Sequence, residues 1–310
     1  MRIKNKLIKF IRMKNQKKQH EDTRFSSSEQ GKRVLKNFKQ HLKVANRTEQ
    51  TVRNYIRSIE ALMNFHNELP ENLDVDQIID FLHDLKIEKE RNWRTTKIYV
   101  AGIRWYFQHV INQEKTAMLI PYPKEEKSLP KILSREELTD IFKACTNQKH
   151  RVMFRLMYSS GLRRGELIRL TPDDIDTKDG KCRVRILKSK GNKDRYTVLS
   201  KKILEELREY YMTCRPKNYL FNGRYKSQPM SNEGLRHALT AAVKKSGIRK
   251  EVNMHILRHS FATHCIEHGM NIKTLQYLMG HSSVLTTMIY LHISQVPLEH
   301  AFSPIDKWEV

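Results

Sequence analysis

Residues 255–290 read HILRHSFATHCIEHGMNIKTLQYLMGHSSVLTTMIY, and the rest of the chain is best understood from this stretch. His255 and Arg258 stand three residues apart, His281 follows, and Tyr290 lies nine residues beyond that second histidine. A tyrosine can attack phosphorus and leave a covalent ester. An arginine and two histidines at these intervals are groups that a phosphodiester-cleaving tyrosine would need around it.

The same chemistry needs groups that this stretch lacks. A phosphate transition state concentrates charge on its oxygens, which suits a second fixed guanidinium, and Arg163 in the run SGLRRGEL at 160–167 is the candidate. The departing 5′-oxygen needs a proton. Lys190, which precedes Gly-Asn in a predicted hairpin loop, is favoured as the acid over Lys188 and Lys193. The tyrosine, whose ordinary pKa is about 10, needs help that two arginines and a histidine could supply.

The composition indicates a polyanionic partner. The 310 residues are enough for two domains and carry a formal charge of +24, spread over both halves of the chain. An excess of this size favours nucleic acid, bound with strong salt dependence. The four cysteines form no C-x-x-C pair, and no secretory segment or membrane-length apolar run is recognisable. The expected location is therefore the cytoplasm, with no membrane partner.

Changes of composition divide the chain into four parts. Residues 1–26 form a basic N-terminal arm, for which contact with DNA or disorder is favoured over a membrane-surface helix. Residues 27–115 show the apolar spacing of four helices. Residues 116–130 contain the prolines of an extended linker. Residues 131–310 form the second domain, with a C-terminal tail at 294–310.

The second domain combines helices with one hairpin. Ser134 to Glu137 is a capping box, and Gly161 suits the end of a helix that begins near residue 150. Alternating runs at 182–187 and 195–199, joined through Gly-Asn, predict two antiparallel strands. Helices are predicted again at about 200–213, 231–246, 254–268, 271–279 and 283–291. The fold class is therefore mainly α with a small antiparallel β-sheet.

Five short motifs follow one another in the second domain. They are G-L-R-x-x-E at 161–166, K-G-N-K-x-R at 190–195, H-x-L-R-H-S-F-A-T-H at 255–264, L-x-G-H-S at 278–282 and the terminal Tyr290. Together they resemble the signature of the tyrosine recombinase or phage-type integrase family, in its Xer-like branch. The four-helix unit before them resembles that family's core-binding, SAM-like domain. The resemblance implies an all-α DNA-binding domain followed by an α+β catalytic domain.

The resemblance implies a role for each matching residue. The implied catalytic residues are Arg163, Lys190, His255, Arg258, His281 and Tyr290. The arginines would hold the scissile phosphate, the lysine would act as general acid, and the tyrosine would form a 3′-phosphotyrosyl bond. The first histidine would assist proton transfer from the tyrosine, and the second would hydrogen-bond a phosphate oxygen. Glu166 would orient its neighbours, and Arg164-Gly165 replaces the commoner apolar-Ser pair. Three further residues are assigned to packing or support, namely His259, Phe261 and His264.

The resemblance also implies partners. The expected partner is double-stranded DNA with inverted-repeat recombination arms, gripped by both domains. A homo-tetramer, or an assembly with a related recombinase, would act in the synaptic complex. Strands would be exchanged through a Holliday junction without ATP, cofactor or obligatory metal, on nucleoid DNA in the cytoplasm. The tail at 294–310 would dock on a neighbouring protomer or cover the protomer's own core.

Three other functions compete with this interpretation. His264 and His268 match the H-x-x-E-H pattern of inverzincin peptidases, which would need an acidic ligand such as Glu299, Asp306 or Glu309. That hypothesis leaves the positive charge unexplained. A DNA-binding relative without activity would form no covalent adduct with DNA. A type IB topoisomerase would form the adduct but would need no synapsis of two sites.

Overall fold

The computed structural model describes residues 24–125, 129–187, 194–225 and 227–294. In this part of the chain the protein is mainly helical with a small antiparallel sheet, which confirms the predicted fold class. The chain divides into two compact units, Met1–Lys127 and Ser128–Val310. Across the described ranges, no helix is both long enough and apolar enough to cross a bilayer.

The first unit is a set of helices that begin at capping residues. Thr48 accepts a hydrogen bond from the backbone of Thr51, and Asp74 forms a reciprocal capping box with Gln77. The helices are α1 (Glu29–Val44), α2 (Glu49–His66), α3 (Val75–His83), α4 (Trp93–His109) and α5 (Glu114–Leu119). The shorter elements are 3₁₀ turns at Phe25–Ser27 and Pro70–Asn72 and a π-helical segment at Asp84–Glu88.

The core of this unit is formed by apolar side chains spaced three or four residues apart on α1 to α4, including Phe38, Ile59 and Phe107, which are fully buried. Helix α5 extends into residues that the sequence assigns to the linker. Ala117 and Ile120 are buried against the same core, which keeps the chain helical up to Leu119.

The second unit combines helices with the three-stranded sheet. Its helices are α6 (Arg135–Ala144), α7 (Gln148–Ser160), α8 (Arg164–Leu167), α9 (Lys201–Cys214), α10 (Asn232–Ser246), α11 (Met254–Glu267), α12 (Ile272–Met279) and α13 (Leu285–Met288). Its strands are β1 (Ile175–Asp176), β2 (Arg183–Ile186) and β3 (Arg195–Val198), with 3₁₀ turns at Pro172–Asp174 and Lys178–Gly180. The predicted capping box is present, since Ser134 and Glu137 exchange hydrogen bonds at the start of α6.

The sheet has the order β1-β2-β3, with both pairs antiparallel. Strands β2 and β3 are the two predicted strands, and Ile186 pairs with Arg195 at the end nearest their connection. Strand β1 was not predicted because two residues are too few to show alternation. Residues 188–193, with Lys190, lie outside the described residues.

Helix α11 runs through the core of the second unit. Residues on all its sides are buried, among them Leu257, Arg258, Ser260 and Ala262. A helix that is buried on most of its surface places most of its polar side chains where a hydrogen-bond partner is needed. This requirement shapes the candidate site.

Candidate active site

The first arginine of the predicted site lies at the start of α8. The backbone N–H of Arg163 and its Nη1 donate to the two carboxylate oxygens of Glu166, at 2.8 and 2.9 Å. The side chain of Arg163 is 25% exposed, whereas that of Glu166 is 4% exposed. The guanidinium is therefore anchored from inside while part of it still faces outwards.

Glu166 is also bound by Arg195, the first residue of β3. Nη1 and Nη2 of Arg195 donate to the two oxygens of Glu166 at 2.8 and 2.9 Å, and Nε donates to the carbonyl of Leu278 at 3.0 Å. Such two-pronged pairs fix geometry as well as charge. We call Glu166, Arg163 and Arg195 the Glu166 clasp. It joins α8, β3 and the end of α12.

The surroundings of the clasp carry more positive than negative charge. Burial alone would raise the pKa of Glu166, but the hydrogen bonds and charge of Arg195, and then those of Arg163, lower this pKa to about 2. Nη1 of Arg258 lies 4.0 Å from the same carboxylate. One carboxylate thus faces three guanidiniums at neutral pH, and an anionic ligand would balance them.

Arg258 is 3% exposed, and backbone carbonyls hold it in place. It donates through Nη1 to the carbonyl of Gly161 and through Nη2 to that of Met279, the latter at 2.6 Å. Nη2 of Arg163 donates to the carbonyl of Gly280 at 2.6 Å. These carbonyls lie at the C-terminal ends of α7 and α12, where unpaired C=O groups attract cations. Gly161 and Gly280 close both helices with φ of 60° and 61°, which glycine adopts without strain.

The second histidine of the predicted site contacts Arg258. Nη2 of Arg258 lies 3.1 Å from Nε2 of His281, and because arginine only donates, this nitrogen is the acceptor. Nδ1 of His281 then carries the proton and donates to Oγ1 of Thr287 at 2.9 Å. Burial and then the charge of Arg258 lower the pKa of His281 to about 4. Burial lowers the pKa of Arg258 to about 9, so at neutral pH the arginine is charged and the histidine is neutral.

Tyr290 follows α13 and is only 2% exposed. Its ring packs in an apolar cluster with Phe261 and Met279 and stacks on the ring of His281 at a centroid distance of 6.4 Å. Its hydroxyl is hydrogen-bonded to Nδ1 of His259 at 2.8 Å. The reactive atom of the predicted nucleophile thus touches a histidine that the sequence assigns to packing or support.

Burial dominates the ionisation of Tyr290. It raises the pKa of the tyrosine, and the charges of Arg258 and Arg163, which lower the pKa, only partly offset it. The sequence predicts that the arginines assist ionisation of the tyrosine. Their charges do lower its pKa, but by less than burial raises it. In this site, burial therefore opposes loss of the phenolic proton.

His255 lies at the exposed edge of the cluster, in the first turn of α11. Its ring centroid is 6.5 Å from that of His259, one helical turn further along. Although the residue is exposed, partial desolvation of its ring lowers its pKa, and repulsion from Arg164, Arg258 and Arg163 acts in the same direction.

The structure brings most of the predicted site together. The predicted residues that form one connected cluster are Arg163, Glu166, Arg258, His281 and Tyr290. Lys190 and its alternatives Lys188 and Lys193 lie outside the described residues.

Two residues of the cluster are missing from the predicted set, Arg195 and His259. Arg195 belongs to the K-G-N-K-x-R motif, but its buried ion pair with Glu166 is visible only in the three-dimensional structure. The buried character of α11 indicates that His259 needs a polar partner, but it does not indicate that this partner is Tyr290.

The described residues give no support to a peptidase. No group of three or more His, Cys, Asp or Glu side chains in the described part of the chain is placed to hold a metal ion. Nδ1 of His264 lies 2.9 Å from the hydroxyl of Tyr158, and Nδ1 of His268 contacts the carbonyl of His264 in its own helix. The candidate acidic ligands at 299, 306 and 309 lie outside the described residues.

Comparisons with known proteins show the family. The Phage integrase family model matches residues 131–296, and the model for the Phage integrase, N-terminal SAM-like domain matches residues 34–116. The tyrosine recombinase XerA of Thermococcus kodakarensis is 32% identical over 272 residues, covering 86% of this chain and 92% of the relative. A tyrosine recombinase of Pseudothermotoga lettingae is 30% identical over 288 residues, covering 89% and 98%.

Solved structures show the same fold. The XerH site-specific recombinase bound to palindromic difH substrate, in a post-cleavage complex, has a TM-score of 0.65 at 23% identity, covering 86% of this chain and 82% of that one. A λ integrase dimer bound to a COC′ core site has a TM-score of 0.68 at 20% identity, covering 83% and 93%.

The two family models and these relatives define the class. The chain belongs to the phage integrase family of tyrosine recombinases, the enzymes of site-specific DNA recombination. Its relatives include proteins of the Xer group, as the motifs predict.

Glu166→Gln tests how much the Glu166 clasp stabilises the protein. Replacing Glu166 with Gln leaves Arg195 buried without a counter-charge, and breaking such a pair costs about 3–5 kcal/mol of unfolding free energy. Because the pKa of Glu166 falls from its usual 4.5 to about 2 on folding, its stabilisation is complete above 4.5 and is lost as the pH falls towards 2. The gap between wild type and E166Q should therefore close over that range.

Urea unfolding at a series of pH values, followed by far-UV circular dichroism, measures this gap. E205Q is the matched control, since Glu205 is exposed on α9 in the same unit. Equal stability of E166Q and wild type at neutral pH would contradict the role of the clasp.

Proposed function

We propose that this protein cleaves and rejoins DNA strands through a 3′-phosphotyrosyl intermediate on Tyr290, with exchange through a Holliday junction. The observation that carries the proposal is the position of Tyr290, whose ring stacks on His281 beside the buried guanidinium of Arg258. A nucleophile and fixed positive charge thus occur together in a largely buried site.

Arg163 and Arg258 are proposed to bind the scissile phosphate. A guanidinium has five N–H donors, and hydrogen bonds to Glu166, Gly161, Met279 and His281, with others, use only part of this supply. The existing bonds hold both groups rigid before the substrate arrives. Rigid donors in a site with little water stabilise a developing charge without further reorganisation.

His281 is proposed to contact a phosphate oxygen. It lies between Arg258 and Tyr290, and its Nε2 faces the guanidinium. A phosphate that accepts the hydrogen bond of Arg258 leaves Nε2 of His281 without its present donor. The ring can then change tautomer, with Nε2 carrying the proton and donating to the phosphate while Nδ1 accepts from the hydroxyl of Thr287.

Lys190 is proposed as the general acid for the 5′-oxygen, on the strength of its place in the sequence before Gly191-Asn192. The tyrosyl ester then stores the energy of the broken phosphodiester bond, so that rejoining by a 5′-hydroxyl needs no ATP. His255 takes part in moving the tyrosine's proton.

The proposed substrate is double-stranded DNA with inverted-repeat arms, bound in the cytoplasm by four protomers of this chain or of a related recombinase. The charge of +24 supports a polyanionic partner, and the XerH and λ integrase structures contain DNA sites. In the first unit, exposed Arg94 and Lys97 lie 5.1 and 5.7 Å from the ring of Trp93 and offer further phosphate contacts. Binding should weaken steeply with salt.

Tyr290→Phe tests the nucleophile. The substitution removes the attacking oxygen and keeps the ring, so it should abolish the covalent adduct with a nicked suicide duplex while site binding persists. The duplex would carry the inverted repeat that the full-length protein selects from a random pool, and adduct would be read on denaturing gels. Tyr277→Phe, at an exposed tyrosine of α12, is the control and should keep the adduct. An undiminished adduct with Y290F would exclude Tyr290.

Lys190→Ala tests the general acid. Loss of the proton donor should slow cleavage of ordinary DNA by about 10²–10⁴. A 5′-phosphorothiolate substrate, whose leaving group needs no proton, should restore the rate. K188A and K193A serve as parallel variants, and rescue of one of these in place of K190A would assign the acid to that lysine.

A further inference from the structure

The hydroxyl of Tyr290 has a specific partner inside the protein. Nδ1 of His259 lies 2.8 Å from it, and the two ring centroids are 5.7 Å apart. His259 is only partly exposed, on the buried helix α11, directly after Arg258. This contact joins the reacting oxygen to a group that can accept a proton.

We infer that His259 is a catalytic residue, the base that takes the phenolic proton from Tyr290 as the tyrosine attacks phosphorus. The inference rests on the proposed function and assigns the base within it. His255, to which the resemblance assigns this proton transfer, is exposed and lies one helical turn before His259 on α11. Geometry therefore favours His259 as the first acceptor and His255 as the next group towards solvent.

The surroundings keep His259 ready to accept. Burial lowers its pKa to about 4, and repulsion from His255 and Arg258 adds to this effect, so the ring is neutral at neutral pH. The titratable groups that face His259 from outside α11 are Tyr290 and, behind Tyr290, His281. A phosphate bound at Arg258 would offset the arginine's charge. The ring's affinity for a proton would then rise when the substrate is in place.

The proton balance of the step is complete. The O–H bond of Tyr290 breaks and its proton passes to Nδ1 of His259 while the phenolic oxygen forms a bond to phosphorus. The bond from phosphorus to the 5′-oxygen breaks, and that oxygen receives a proton from the general acid. The imidazolium of His259 can release a proton towards His255, and the reverse transfer returns the proton to Tyr290 when the strand is rejoined.

His259→Asn separates this role from a structural one. The amide of asparagine stands close to the position of Nδ1 and can still hydrogen-bond Tyr290, but it accepts no proton. Single-turnover adduct formation on the selected, nicked suicide duplex should fall by about 10²–10³ at pH 7. Below the pKa of the tyrosine, the fraction of tyrosinate rises about tenfold with each pH unit. The ratio of the wild-type rate to the H259N rate should therefore fall about tenfold for each pH unit up to pH 9.5, while DNA binding is unchanged.

His255→Asn is the matched control one turn away, and it should cause a smaller loss. A wild-type rate for H259N at pH 7, or a deficit that stays constant from pH 7 to 9.5, would overturn the assignment. So would the pH-dependent deficit appearing in H255N instead. If wild type itself formed no adduct, the proposed function would fail, which is a different result from failure of H259N alone.

H259A provides a second test if the asparagine variant binds DNA poorly. Added imidazole should restore adduct formation, because the small base can occupy the space left by the ring. An adduct yield that does not respond to imidazole would count against His259 as the base.

Discussion

One buried carboxylate holds the catalytic unit in register. Glu166 is bound by Arg163 from its own helical turn and by Arg195 from β3, and Arg258 on α11 lies 4.0 Å away. A buried charge is costly unless it is paired and hydrogen-bonded, so these elements are held where the pairing is satisfied. The balance is incomplete, with three guanidiniums against one carboxylate. The remaining positive charge is what a phosphodiester would neutralise.

The ends of two helices complete the same arrangement. Carbonyls at the C-termini of α7 and α12 accept hydrogen bonds from Arg258 and Arg163, and two of these carbonyls belong to the left-handed glycines Gly161 and Gly280. A Cβ atom at position 280 would lie 2.8 Å from Nε of Arg195, which is closer than van der Waals contact allows. The glycines of the G-L-R and G-H motifs thus have a physical purpose. Gly161 leaves room for the ring of Phe261, and Gly280 leaves room for the side chain of Arg195.

Much of this could be predicted from the sequence because the signals are local. Capping residues such as Thr48 and Ser134 mark helix starts, and the alternating runs mark β2 and β3. The site residues were predicted from the order of the motifs, which implied a chemistry with known requirements. What could not be predicted depends on packing between distant segments. The pairing of Arg195 with Glu166 spans 29 residues and that of His259 with Tyr290 spans 31, and no local pattern encodes either.

The burial of Tyr290 shows the same limit. A tyrosine beside arginines looks activated in sequence, yet the three-dimensional environment raises its pKa because desolvation outweighs the charges. The arginines supply positive charge for a phosphate, and the group in contact with the phenol is His259.

The most direct measurement is mass spectrometry of the adduct trapped on a nicked suicide duplex. After digestion with trypsin and nuclease, the account predicts a nucleotide linked through its 3′-phosphate to Tyr290, within the peptide 274–307. Fragmentation that places the nucleotide on Tyr277 or any other residue, or that shows a 5′-phosphate linkage, would contradict it.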